Sequence, residues 1–152
     1  MILRRTDNLR IERFEPLVTP MQLKHIVPLT EEASETVSRG REEIVGVQVG
    51  TDPRLLMVVG PCSIHDPASA LDYARRLKAL SERVRERILL VMRVYFEKPR
   101  TSVGWKGLIN DPHLDGSGDM QEGLRRARTL LARIIDLGLP TASEMLDPIT
   151  PH

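Results

Sequence analysis

One cysteine, Cys62, occurs in the chain, so no disulfide can close within it. Aromatic residues are nearly as scarce: one Trp, two Tyr and two Phe make up 3% of 152 residues, and a core must be built from aliphatic side chains. No stretch of about 18 uncharged apolar residues exists, which excludes a membrane-spanning helix. An excess of either charge is also missing, since 22 Lys and Arg stand against 21 Asp and Glu. The net charge of +1 gives no general attraction to nucleic acid. The opening Met1-Ile2-Leu3-Arg4-Arg5-Thr6-Asp7 lacks the long apolar centre of a secretion signal, which together with the lone cysteine points to the cytoplasm. Length excludes one architecture outright. A complete (β/α)8 barrel takes about 250 residues and rarely fewer than about 200.

What is present suits one globular unit, with 41% hydrophobic and 28% charged residues. Residues 1–29 carry Pro16, Pro20 and Pro28 without a clean period, which predicts an extended arm with short helical pieces. Thr30 followed by Glu31 and Glu32 marks a helix start, and Ala33, Val37, Ile44 and Val47 continue it at helical spacing to Gly50-Thr51-Asp52-Pro53. Leu55 to Val59 is a short apolar run ended by Gly60-Pro61, the pattern of a strand buried on both faces of a parallel sheet. Asp66-Pro67 then opens a helix with Ala70, Leu71, Ala74, Leu77, Leu80 and Val84 on its apolar face. Ile88 to Met92 with Val94 predicts a second buried strand. Leu124, Ala127, Leu130, Leu131, Ile134 and Ile135 predict another helix closed by Gly138, and Pro140 to Met145 a third strand. Strand, helix, strand, helix, strand implies an α/β fold with a parallel sheet. The two unusual loops, 60–66 and 96–118, follow the carboxyl ends of strands, where such folds place ligands.

Those loops and the strand ends beside them hold the residues able to carry chemistry. Cys62 is either an inert small hydrophobe or a thiolate that ligates a divalent metal, and His65 beside it is read as a local hydrogen-bonding residue because one Cys–His pair does not complete a metal site. Arg93 interrupts an apolar strand, and Lys98, Arg100 and Lys106 follow with few acids between them. A guanidinium drawn inward needs an anion, either a carboxylate of the protein or a carboxylate or phosphate on a ligand. Lys98-Pro99-Arg100-Thr101 adds two cations, a rigid turn and a hydroxyl, a set suited to a phosphate ester. Trp105 beside Lys106 offers base stacking, a reading the charge balance weakens. Glu144, with Asp147 after it, is a loop acid or a group that positions a lysine or a water.

Three long motifs carry a family likeness. Gly60-Pro61-Cys62-Ser63-Ile64-His65-Asp66-Pro67, Arg93-Val94-Tyr95-Phe96-Glu97-Lys98-Pro99-Arg100-Thr101 and the stretch Val103-Gly104-Trp105-Lys106-Gly107 through Leu108-Ile109-Asn110-Asp111-Pro112-His113 closely resemble the class I, alpha-type 3-deoxy-D-arabino-heptulosonate 7-phosphate (DAHP) synthases. The resemblance covers most of the chain and is densest over 54–115. It implies condensation of phosphoenolpyruvate with erythrose 4-phosphate, releasing phosphate, at the head of the shikimate pathway. It further implies the amino-terminal part of a TIM (β/α)8 barrel, about three β/α units, preceded by an extension. On that reading 1–52 form the extension and 53–152 the incomplete barrel. By position Cys62 matches a ligand of a divalent metal (Mn, Fe, Co or Zn), Arg93, Lys98 and Lys106 match phosphoenolpyruvate contacts, and Arg100 and Thr101 match the erythrose 4-phosphate site. Lys98 and Glu144 match catalytic positions. The metal would polarise the attacked aldehyde.

The arm, including Asp7 to Ile11, is similar to the family's dimerisation and effector-binding extension, so a homo-oligomer when full length and an aromatic amino acid effector are implied. Family members run to about twice this length, and the remaining metal ligands, further cations and strands are expected outside the chain. The chain alone is therefore expected to be inactive. The competing expectation is a non-catalytic interaction or regulatory fragment, and the related 3-deoxy-octulosonate 8-phosphate synthases are disfavoured by the Lys98 to Thr101 motif.

Overall fold

The computed structural model describes residues 6–11, 14–100, 103–146, 148 and 150. Three parallel strands lie in the order β1-β2-β3: β1 Leu55–Val59, β2 Ile88–Arg93 and β3 Thr141–Ala142. The register sets Leu55 against Ile88 and Val58 against Val91, and Met92 against Thr141. Four helices accompany them among the described residues: α1 Pro20–Ile26, α2 Glu31–Gln48, α3 Pro67–Val84 and α4 Met120–Asp136.

Local chemistry explains the helix starts. The Thr19 hydroxyl accepts from the Gln22 amide while the Gln22 side chain accepts from the Thr19 amide, a reciprocal cap, and Pro20 occupies the first turn of α1. Thr30 caps α2 through the Ala33 amide and donates its hydroxyl to Asp136 at the far end of α4 over 2.6 Å. Asp66 caps α3 through the amides of Ala68 and Ser69, and the Ser69 hydroxyl foremost, with those amides, holds its carboxyl below the usual range. Asp119 caps α4 through Glu122.

The core is aliphatic, as the shortage of aromatics requires. Leu90, Met92 and Val94 of β2 and the residues after it pack with Ala70, Leu71, Ala74 and Leu77 of α3 and Leu124, Ala127, Leu130 and Ile134 of α4. Leu89 and Val91 on the opposite face of β2 are buried as well.

The structure corrects three expectations. β1 is not buried on both faces: Leu55, Met57 and Val58 are 61%, 37% and 49% exposed, because β1 is an edge strand with little packed against it. The third strand pairs regularly only at Thr141 and Ala142; beyond them the Ser143 hydroxyl, rather than a backbone amide, reaches Val94 O at 2.8 Å. Leu80 lies on the solvent side of α3 instead of its apolar face.

Candidate active site

The carboxyl ends of the strands are tied together through Arg93. Its Nη2 donates to Gly60 O at 2.9 Å and its Nε to Pro61 O at 3.1 Å, so the last residue of β2 grips the loop leaving β1. Gly60 is needed for that approach, since a Cβ there would stand 2.4 Å from Arg93 O. The Arg93 guanidinium lies 5.1 Å from the centre of the Tyr95 ring, and its Nη1 donates to no protein acceptor among the described residues. Ile64 plugs the loop into the core and donates its amide to Tyr95 O. Cys62 is left exposed at the top, its Sγ 3.6 Å from Lys98 Nζ.

The second loop folds back on itself. Glu97 pairs antiparallel with Gly107, and the Lys98 amide donates to Lys106 O at 2.9 Å. Gly107 has φ +108°, and a Cβ there would fall 2.3 Å from Phe96 O. The Trp105 indole donates to Asp111 O at 2.9 Å, and the ring meets His65 edge-on at 6.5 Å. Trp105 is thus an internal brace rather than a stacking platform. His65 contacts that ring and makes no hydrogen bond among the described residues, contrary to expectation, because its loop turns it toward Trp105.

A cleft of about 230 Å³ results, lined by Cys62, Arg93, Tyr95, Glu97, Lys98, Pro99, Arg100 and Glu144. Five of the residues singled out from sequence therefore meet: Cys62, Arg93, Lys98, Arg100 and Glu144. Lys106 is exposed and does not line the cleft; its backbone serves the loop instead. Thr101 and Asp147 lie outside the described residues. Among the described residues none of Arg93, Lys98, Arg100 and Lys106 has a carboxylate within 4.0 Å. Unpaired cations converging on one hollow are what an anionic ligand requires.

A sequence model described as the DAHP synthetase I family matches residues 26–152. The chain belongs to that family. Among curated members of the DAHP synthetase I family, the Tyr-sensitive phospho-2-dehydro-3-deoxyheptonate aldolase of Salmonella typhimurium is 55% identical over 96% of this chain and 41% of its own length. The Phe-sensitive enzyme of that name from Escherichia coli is likewise 55% identical, over 96% of this chain and 42% of its own. A solved phospho-2-dehydro-3-deoxyheptonate aldolase from Francisella tularensis superposes with a TM-score of 0.90 at 50% identity, covering 93% of this chain and 41% of that one. The chain thus spans about two fifths of the length of these relatives, in line with the expectation that it holds part of the family's length. No helix among the described residues is long and apolar enough to cross a membrane.

The family's dependence on a metal meets only a partial donor set. Cys62 offers one soft ligand, and among the described residues no three His, Cys, Asp or Glu side chains are grouped to hold an ion. A single thiolate does not fix a divalent cation, so no chemical step is derived through one.

Glu97 and Asn110 lie within the family motifs, and residue type alone announces no role for either. The available signal was Glu97 as the one acid between Arg93 and Lys106.

Proposed function

We propose that the chain carries the phosphoenolpyruvate-facing portion of a DAHP synthase active site, on about three β/α units of a TIM (β/α)8 barrel, with 1–52 as the extension and 53–152 as the barrel portion. The observation that carries this reading is the set of unpaired cations Arg93, Lys98 and Arg100 in the cleft above the parallel strands. Phosphoenolpyruvate bears a carboxylate and a phosphate, erythrose 4-phosphate a second phosphate, and like charges about 4 Å apart repel by roughly 4 kcal/mol near a protein surface. Cations held by the fold before the ligands arrive offset that repulsion and fix their approach.

In this assignment Arg93 presents its spare Nη1 to phosphoenolpyruvate while its other nitrogens hold the loop carbonyls. Lys98 reaches over Cys62 between the two substrates, and Lys106, outside the cleft, is the third cation assigned to phosphoenolpyruvate. Arg100 and Thr101 take the erythrose 4-phosphate phosphate, and Glu144 positions Lys98 or a water. The enol carbon bonds to the aldehyde carbon, water adds at the carbon bearing the phosphate ester, and the C–O bond to phosphate breaks. Cys62 would supply one donor to a divalent metal, which would polarise the aldehyde, with the other ligands coming from outside the described residues. The relatives' designations as Tyr-sensitive and Phe-sensitive support an aromatic amino acid effector, and the arm supports a homo-oligomer.

The single thiol donor and the uncovered face of β1 favour a second reading for the chain by itself, a non-catalytic interaction or regulatory unit. Calorimetric titration with phosphoenolpyruvate tests the first: saturable binding is expected, lost in Arg93→Ala and Lys98→Ala, and binding indifferent to both changes refutes it. Under either reading the chain alone releases no phosphate when erythrose 4-phosphate and a divalent metal are added. Sustained release would show that it is catalytically complete.

A further inference from the structure

Two acids, Glu97 and Glu144, line the cleft beside the cations Arg93, Lys98 and Arg100, and Glu97 is placed unlike an ordinary counter-ion. Its Oε1 accepts from Asn110 Nδ2 at 3.1 Å and its Oε2 from the Thr150 hydroxyl at 2.8 Å. Asn110 Nδ2 also points to Lys106 O at 3.4 Å. Each carboxylate oxygen is thus bonded to a neutral donor on a different segment, while Arg93, Lys98 and Arg100 have no ion pair among the described residues. Glu97 also lines an apolar cavity of about 250 Å³ that includes Leu23, Phe96, Leu124 and Leu131, so it stands in the wall between that cavity and the cleft.

We infer that Glu97 is the positioning residue of the cleft, tying the 96–100 limb to the 106–110 turn and to the segment at Thr150 so that Lys98 and Arg100 face the ligand. The inference deepens the proposed function and rests on it. Glu97 pairs with Gly107 as a strand residue does, and residues next to each other in such a pairing point to opposite sides. Fixing Glu97 on the Asn110 and Thr150 side therefore sends Lys98 the other way, where its Nζ lies over Cys62. The backbone pairing of Glu97 with Gly107 and the bond from the Lys98 amide to Lys106 O complete the clamp. Because both oxygens are occupied by neutral donors, the carboxylate makes no ion pair with the cations beside it among the described residues, while its charge stays in the cleft wall.

Charge alone makes the opposite prediction. A carboxylate in the wall of an anion site repels the ligand, so its removal should tighten binding. Positioning predicts that Glu97→Ala binds phosphoenolpyruvate about tenfold more weakly, whereas Glu97→Gln stays within about threefold of the parent, since an amide keeps an acceptor for Asn110 and a donor for Thr150. The test is calorimetric titration of the 152-residue chain and the two variants with phosphoenolpyruvate, beside hydrogen exchange at the Lys98 amide and thermal melting. Faster Lys98 exchange with weaker binding in Glu97→Ala, both restored in Glu97→Gln at an unchanged melting temperature, supports the inference. Binding equal to or tighter than the parent in Glu97→Ala overturns it, as does equal loss in both variants. If the parent binds no phosphoenolpyruvate, the proposed function falls, and exchange alone decides the clamp: acceleration in Glu97→Ala supports it and unchanged exchange overturns it.

Discussion

β1 and β2 are written in nearly the same letters and live in different surroundings. Leu-Leu-Met-Val-Val pairs residue for residue with Ile-Leu-Leu-Val-Met, and Val58 sits directly opposite Val91. Yet Val58 is 49% exposed and Val91 1%, while Met57 is 37% exposed and Met92 0%. β2 has a neighbour on each side and α3 and α4 packed over it; β1 has β2 on one side and little else. Identical apolar chemistry therefore stabilises one strand and is largely wasted on the other. Hydrophobic stabilisation follows the area withdrawn from water, not the residue type.

Truncating the same residue in both strands probes that difference most severely. Met92→Ala should lower unfolding free energy by about 2–5 kcal/mol, because it opens a cavity in a packed core. Met57→Ala should cost less than about 1 kcal/mol, the range of surface changes. Denaturant melts of the two variants decide it, and equal losses would mean that β1 is covered in solution. A finer version uses the facing valines: Val91→Ala should cost about 2 kcal/mol and Val58→Ala no more than about 0.5.

A third comparison lies within the loops above the strands. Gly60→Ala puts a methyl against the Arg93 carbonyl and should unseat the loop, weakening phosphoenolpyruvate binding with a loss of about 1–3 kcal/mol in stability. Gly116→Ala meets no atom within 4 Å and leaves the cleft alone; with φ +75° it should cost about 1 kcal/mol from backbone strain only, seen in melting and not in binding.

The smallest effect asks whether the covered side owes anything to charge. Glu122 on α4 is bonded to Arg125 and Arg126, which pull its pKa down from 4.5 to about 2. A carboxyl whose folded pKa is depressed contributes stability above its unfolded value, and that contribution is lost as pH falls from about 4.5 toward 2. Both arginines are partly exposed, so the gain is below about 1 kcal/mol. Glu122→Gln should melt slightly lower at pH 7 and coincide with the parent near pH 2.

Read from sequence, the elements were legible where local chemistry decides them. Asp66-Pro67, Thr30 with its two glutamates and Gly138 at φ +76° delimit helices whatever lies around them. Burial of β1 was not legible, because an apolar run states what environment a strand tolerates and says nothing of what packs on it. The last strand shrank for a related reason: pairing at Thr141 and Ala142 depends on β2 ending at Arg93. In the site, the motifs named Cys62, Arg93, Lys98, Arg100 and Glu144, and the cleft gathers them. Lys106 lies outside the cleft, and the part its carbonyl plays in holding the loop, by accepting from the Lys98 amide, is a backbone role that residue type does not announce. Glu97 stayed hidden because an acid among cations reads as a counter-ion until its partners, Asn110 and Thr150, are seen.

The outer edge of β1 carries one more consequence, for how copies of the chain behave in company. Five uncharged residues, all Leu, Met or Val, on a strand bordered by a single neighbour are a template on which a second copy adds in register. Proteins ordinarily guard such edges with a flanking charge, and Arg54 stands at that post. It is already spent, held between Asp52 at 2.6 Å and Glu43 at 3.0 Å. Two approaching edges thus meet a cation whose charge is already paired rather than one free to repel them.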